Sequence, residues 1–391
     1  MRMKEFKREK KEDRPVVAIC YDFDKTLSPD DMQAQGFIQS VGYDKVSDFW
    51  TKSNKLAEEN DMDQNTAYMY MMMREADGQI VFNKDKLAEL GAQVRLFNGV
   101  EEWFERIRKY GEQQEVIVEH YIISSGLKEM IEGTSVAKKG AFKRIYASSF
   151  YYENGRAAKW PAQVVNYTNK TQFLFRIEKG VLDANDPGVN DAFPPEDVRV
   201  PFRNMIYIGD SDTDIPCMKL VDSYGGHSIG VYNSETMDKS KVYKMMRDDR
   251  IKYFAPADYS DGTELDHLVK AIIDRTAANE KLESMHYAYK KETVEAEKQT
   301  DAEEQKKIDL ILALEDSGNF ANTHRVIKQL RAIRGWTIEQ MNRLCDIALD
   351  NSQVRSILQD EDVTKFYKSL FPQMNPLSDT AKQVQREIEE E

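Results

Sequence analysis

The chain is poor in cysteine: Cys20, Cys217 and Cys345 are three in 391 residues, and they lie far apart. No disulfide framework and no CxxC metal pair can be built from them, so a reducing, cytoplasmic setting is expected. Long apolar runs are also missing; none approaches the ~18–20 residues that span a bilayer. Met1 to Arg14 is basic and acidic by turns with no apolar stretch behind it, so it reads as a solvated arm rather than a signal peptide. Positive charge is in deficit: 55 Lys and Arg against 68 Asp and Glu give −13. Such a chain is a poor generic ligand for nucleic acid or anionic membrane, and neither partner is expected. Glycine and proline run short in one place. Residues 276–391 contain only Gly318, Gly335, Pro372 and Pro376 of the 19 glycines and 11 prolines, which marks a change from mixed α/β to nearly all helix.

What is present fits a multi-domain globular protein, with 41% hydrophobic and 10% aromatic residues. Brief β-branched strands recur at 16–20, at 116–118 with 121–123, at 205–208 and at 229–232, with helical patterns between them. This predicts a doubly wound α/β fold, a Rossmann-like parallel sheet. About ninety residues, 31–118, interrupt the first crossover, where a dozen or so suffice. Their helical spacing, including the run Tyr68 to Met73, predicts an inserted helical cap, with the methionines as core packing. Ile145 to Asn166 reads as a β-hairpin turning at Asn154-Gly155. The division expected is an arm 1–14, an α/β core 15–30 and 119–275, a cap 31–118, and an all-helical extension 276–391.

Four elements carry chemistry. Asp22-Phe23-Asp24-Lys25-Thr26 directly follows the first strand, where open α/β sheets bind ligands. Alone it is either two cooperating carboxylates or a capped turn. Ser124-Ser125-Gly126 follows the strand at 121–123 and opens a helical pattern, which offers an anion site or a plain N-cap. Lys170 begins an amphipathic helix, with Lys143 and Lys159 as competitors for its role. Gly209-Asp210-Ser211-Asp212-Thr213-Asp214 concentrates carboxylates that suit a hard divalent cation, or form an acidic solvated loop.

In this order the four elements resemble the haloacid dehalogenase superfamily, over about residues 15–275. The resemblance is nearest to the phosphoserine phosphatase-like branch, in which a helical cap follows the first motif and a small hairpin precedes the lysine. It implies an Mg²⁺-dependent phosphatase acting on a small phosphorylated metabolite through an aspartyl-phosphate. Asp22 would be the nucleophile and Asp24 the general acid and base. Ser124, Ser125, Gly126 and Lys170 would hold phosphoryl oxygens. Asp22, Asp24 (through its carbonyl), Asp210 and, less directly, Asp214 would hold the metal, and Thr26 would buttress the loop by hydrogen bonding. Lys25 stands where glycine is frequent and Ser125 where the branch favours glycine, which puts phosphoserine itself in doubt. Arg74 reads as a surface arginine of the cap or a substrate anchor. The other readings are a phosphotransferase or mutase of the same superfamily, and a phosphate-ligand sensor signalling through the tail.

The tail shows a capping box at Thr337-Ile338-Glu339-Gln340 and apolar stripes through Leu344, Val354, Phe366 and Leu370. They predict a small helical bundle, with dimerisation or a protein partner as the next reading. His286 and His324 are isolated, and Gln373 to Glu391 is expected to fray.

Overall fold

Val16–Tyr21 alternates between two cores. Val17, Ile19 and Tyr21 pack with the cap and with Trp103 and Phe104 on one side. Val16, Ala18 and Cys20 pack with Phe173, Leu174 and Met218 on the other. A strand buried on both faces belongs in the middle of a parallel sheet covered by helices, and the computed structural model places it there. The structure describes residues 6–154, 156–296 and 302–389.

Among these, seven strands form one sheet: β1 (Val16–Tyr21), β2 (Ile117–Leu127), β3 (Arg144–Glu153), β4 (Arg156–Gln163), β5 (Met205–Gly209), β6 (His227–Tyr232) and β7 (Tyr253–Pro256). Their order is β4-β3-β2-β1-β5-β6-β7. All neighbours pair in parallel except β3 and β4, which form the expected antiparallel hairpin. Asn154, at its turn, has φ 53°, the left-handed conformation such turns require; Gly155 lies outside the described residues. Three features differ from the sequence reading. The two apolar pieces at 116–123 are one continuous strand, β2. The hairpin's first strand extends the central sheet. The short β7 closes the other edge, and its half-buried residues gave no clear pattern.

Residues 31–118 are helical, but not all of them lie above the sheet. The helices Val46–Glu59 and Gln64–Ala76 pack on each other, while Lys84–Gly91 packs against the helix Lys128–Gly133 that follows β2. Val100–Gln113 instead packs on β1 and β2. Trp103 Nε1 donates to Tyr21 Oη at 2.8 Å. The Tyr21 hydroxyl reaches His120 Nδ1 at 3.0 Å, and His120 Nε2 reaches the Phe104 carbonyl at 3.2 Å. Burial holds His120 neutral, its pKa pushed down to about 3. This helix is the crossover that the sheet needs, following the insertion.

The N-terminal arm is tied down within the described residues. Glu9 N donates to the Gly180 carbonyl at 2.8 Å, and the buried Arg199 pairs with Glu12 and Glu119. Lys143 closes on Glu119 and Glu9 and so belongs to this network. The side chain of Lys159 lies outside the described residues.

The chain divides into two units, Met1–Asp186 with Arg199–Glu280, and Pro187–Val198 with Lys281–Glu391. The second has its own core, built from Leu314, Val326, Leu330, Leu344, Phe366, Tyr367 and Val384 among others. Thr337 Oγ1 accepts from Gln340 N at 3.2 Å while Gln340 Oε1 accepts from Thr337 N at 3.0 Å, a complete capping box. The terminal segment is more ordered than its polarity suggested. Asp379–Glu389 is a helix that buries Ala381, Val384 and Ile388, three residues spaced to form one face. His324 is flanked by Asp360 and Asp362 at 3.2 and 2.9 Å. Among the described residues no helix is long and apolar enough to cross a membrane.

Candidate active site

The carboxyl ends of β1, β2 and β5 lie side by side, and each continues into a motif. Asp22 N donates to the Ile208 carbonyl at 2.9 Å, which fixes the first loop against β5. Beyond it the chain turns sharply: Thr26, Leu27 and Ser28 all donate backbone N–H to the Phe23 carbonyl. Thr26 is buried, but its hydroxyl has no hydrogen-bond partner. Thr26's hydrogen bond in this loop is made by its backbone: its carbonyl accepts from Tyr259 Oη at 2.8 Å.

Ser124 is fully buried at the end of β2. It does not cap a helix, because the strand runs on to Leu127 and the helix is Lys128–Gly133. The helix-terminus reading of this motif is thus replaced by a strand-end one. Ser124 Oγ accepts from Gly126 N at 3.1 Å. Gly126 has a steric reason to be glycine: a Cβ there would lie 2.6 Å from Met32 Cε and 2.8 Å from Asp24 Oδ2. Ser125 Oγ is buried without a partner.

Lys170 is 0% exposed, at the junction of the turn Tyr167–Lys170 and the helix Thr171–Lys179. A lysine that deep needs anions. Its Nζ lies 2.8 Å from Asp214 Oδ1 and 3.3 Å from Asp22 Oδ1. Burial alone would lower its pKa, but Asp214 and Asp22 outweigh burial and raise it. Asp214 also accepts from Tyr207 Oη at 2.9 Å and from Ser211 N and Oγ at 3.1 and 2.9 Å. It can sit so close to β5 because Gly209 has no side chain; a Cβ there would come within 2.6 Å of the Asp214 carboxylate.

Asp22, Asp210 and Asp214 each offer a carboxylate oxygen, all within 4.8 Å of one another. Burial raises the Asp22 pKa to about 6, with Lys170 pulling it down and Asp214 pushing it up. Burial raises Asp210 to about 7 against the pull of Lys241, whose Nζ is 3.4 Å away. Asp22 Oδ1 is buried and accepts no hydrogen bond, even from the nearby Lys170. A crowd of buried carboxylates with a free oxygen suits a hard divalent cation. Among the described residues a second close trio, Glu9, Glu12 and Glu119, is paired with Arg199 and Lys143. Asp24's carboxylate stands apart from the cation trio. It accepts from Met32 N at 2.7 Å, and its pKa is raised by burial, then by Asp31 and Asp22.

These groups line a cavity of about 210 Å³. Its wall holds Asp22, Asp24, Ser124, Ser125, Gly126 and Asp210 together, so six of the expected residues meet there, with Lys170 and Asp214 behind them. A scan of family descriptions matches residues 19–219 to haloacid dehalogenase-like hydrolase. The chain belongs to that family. An uncharacterised protein of Borreliella burgdorferi is 27% identical over 279 residues, 64% of this chain and 94% of the relative. Among solved structures, a haloacid dehalogenase family hydrolase from Salmonella enterica serovar Typhi has a TM-score of 0.44 at 16% identity, covering 66% of this chain and 72% of its own. A probable phosphoserine phosphatase from Vibrio cholerae has a TM-score of 0.44 at 10% identity, covering 68% and 67%.

The cavity also contains residues that no motif announced in this family member. Trp50, Asn65 and Tyr68 reach it from the cap helices Val46–Glu59 and Gln64–Ala76, and Lys241 from the helix after β6. Tyr68 Oη donates to the Ser125 carbonyl at 2.8 Å, and Asn65 Nδ2 to the Val165 carbonyl at 2.7 Å. Tyr68 opens the Met/Tyr run, whose Met69, Met71 and Met72 are buried as core. Arg74 does not line the cavity; it pairs with Glu75 at the surface.

Proposed function

We propose that the protein is a divalent-cation-dependent phosphomonoesterase working through an aspartyl-phosphate on Asp22. The observation that carries this reading is the free, buried Asp22 Oδ1 beside Lys170. A nucleophile needs an oxygen not already committed to hydrogen bonds, and a cation to draw in the phosphoryl group. Asp22 would attack phosphorus as the ester P–O bond breaks, and protonated Asp24 would give its proton to the departing oxygen. Water would then attack the aspartyl-phosphate, Asp24 would take a proton from it, and the Asp22–phosphorus bond would break to release phosphate. The raised pKa of Asp24 supports its holding that first proton. Ser124, Ser125, Gly126 and Lys170 would surround the phosphoryl oxygens. Asp22, Asp210, the Asp24 carbonyl and, behind them, Asp214 would hold Mg²⁺. Bound there, the ion supplies neutralisation of phosphoryl charge.

The substrate side of the cavity, with Trp50, Asn65 and Tyr68 beyond the carboxylates, suits a small phosphorylated metabolite. The reading is tested on purified protein with a panel of phosphomonoesters including p-nitrophenyl phosphate. Hydrolysis in Mg²⁺ that stops on chelation and returns with Mg²⁺ is the expected result. No turnover across the panel would defeat the proposal.

A further inference from the structure

The loop from Asp24 to Met32 is tied twice. The inner tie is the hydrogen bond from Met32 N to Asp24 Oδ1, 2.7 Å. The outer tie joins the adjacent residues: Lys25 Nζ donates to both carboxylate oxygens of Asp31, at 2.8 and 2.9 Å. Each residue of the outer tie is one step from a residue of the inner one. On its far side the Asp24 carboxyl abuts Gly126, whose missing Cβ leaves just enough room for Oδ2. A carboxyl held from one side and walled on the other has little freedom once both ties are made.

Lys25 makes its tie at a backbone cost. Its φ is 58°, in the left-handed region, which disfavours residues bearing a Cβ. Glycine would sit there without strain, but it could not reach Asp31. The pair is partly exposed, with side-chain accessibilities of 48% and 27%, and such pairs contribute little to folding. Both residues also line the cavity. A strained residue that gains little stability, placed beside a proton donor, points to a role in the reaction.

We propose that Lys25 and Asp31 form a positioning clamp for the Asp24 carboxyl. The inference rests on the phosphatase reading, in which Asp24 protonates the leaving oxygen. Protonation matters most when that oxygen is strongly basic, as in alkyl phosphates, and least for p-nitrophenolate. The clamp therefore has a signature that a merely structural pair lacks: its loss should steepen the dependence of kcat/KM on leaving-group basicity.

The test measures kcat/KM in Mg²⁺ for a series of aryl and alkyl phosphomonoesters with Lys25→Met, Lys25→Gly, Asp31→Asn and the Lys25→Met/Asp31→Asn double variant. Each single variant is expected to lose roughly tenfold on alkyl phosphates and about twofold or less on p-nitrophenyl phosphate, the size that a misplaced catalytic group produces. Lys25→Gly should lose as much as Lys25→Met although it relieves the backbone. The double variant should be no worse than the singles, since both remove one interaction, and Lys25→Arg should restore most of the loss. Equal losses on every substrate, with raised KM for Lys25→Met and none for Asp31→Asn, would overturn the clamp and make Lys25 a phosphate-binding side chain. An unchanged leaving-group dependence in all variants would overturn it too. Absence of turnover by the unaltered protein would overturn the phosphatase reading and the clamp with it.

Discussion

Asp22→Asn should hydrolyse phosphomonoesters at least about 10⁴-fold more slowly than the parent protein, the order of loss when a nucleophile is removed from a group that acts as a unit. The amide keeps the shape of the carboxyl but lacks the oxygen charge that attacks phosphorus. Stability should move the other way. Burial lifts the Asp22 pKa to about 6, so folding disfavours its charged form. A carboxyl whose pKa is raised on folding weakens the fold as pH climbs from its unfolded value through the folded one. At neutral pH that cost is present in full, on the order of a few kcal/mol with the pull of Lys170 already included. Asparagine is neutral and avoids it, and Lys170 keeps Asp214 at 2.8 Å. A thermal melt should show Asp22→Asn at least as stable as the parent while turnover vanishes. Lost activity accompanied by a lowered Tm would instead mark Asp22 as a structural residue.

Lys170→Met should damage both properties. Methionine fills much the same space, so packing is largely kept. Two carboxylates, on Asp22 and Asp214, would then be buried without their ammonium. Removing one partner of a buried ion pair costs about 3–5 kcal/mol, because the other charge remains. Turnover should fall as well, since the phosphoryl group loses its fixed cation. Mg²⁺ should recover part of the Tm and little of the rate, because a cation at the same carboxylates offsets their charge but does not occupy the lysine's position. The check is a pair of melts with and without Mg²⁺, alongside kcat. Parent-like turnover in Lys170→Met would remove the lysine from the site.

Much of the site was legible because the sheet itself assembles it. In a parallel sheet the carboxyl ends share one edge, so Asp22 and Asp210 needed only to follow β1 and β5 in sequence, and Ser124 to lie near the end of β2. Lys170 was harder, since a lysine at a helix start is ordinarily solvated. Only its complete burial and the identity of its partners, Asp22 and Asp214, distinguish it from Lys143, which is partly exposed and pairs with Glu9 and Glu119 in the Arg199 network. Ser124 was found for partly the wrong reason: small polar residues before a helix suggest an N-cap, but β2 simply runs on to Leu127. Trp50, Asn65 and Tyr68 were not legible. Helical periodicity tells which residues share a face and not what that face covers. The helix Asp379–Glu389 was missed for a related reason. Its apolar stripe is three residues among charges, and segment polarity hid it. Lys25 stood out only as a departure from glycine, and the structure supplies the geometry behind it, a positive φ and a tie to Asp31.

The central claim is a covalent phosphoryl group on Asp22. It is tested most directly by mixing the protein with Mg²⁺ and a substrate, quenching in acid during turnover, and mapping phosphorylated peptides by mass spectrometry. The account predicts a phosphoryl adduct on Asp22 that disappears when substrate is exhausted and never forms in Asp22→Asn. Steady turnover with no adduct, or with the adduct on another residue such as Ser124, would contradict it.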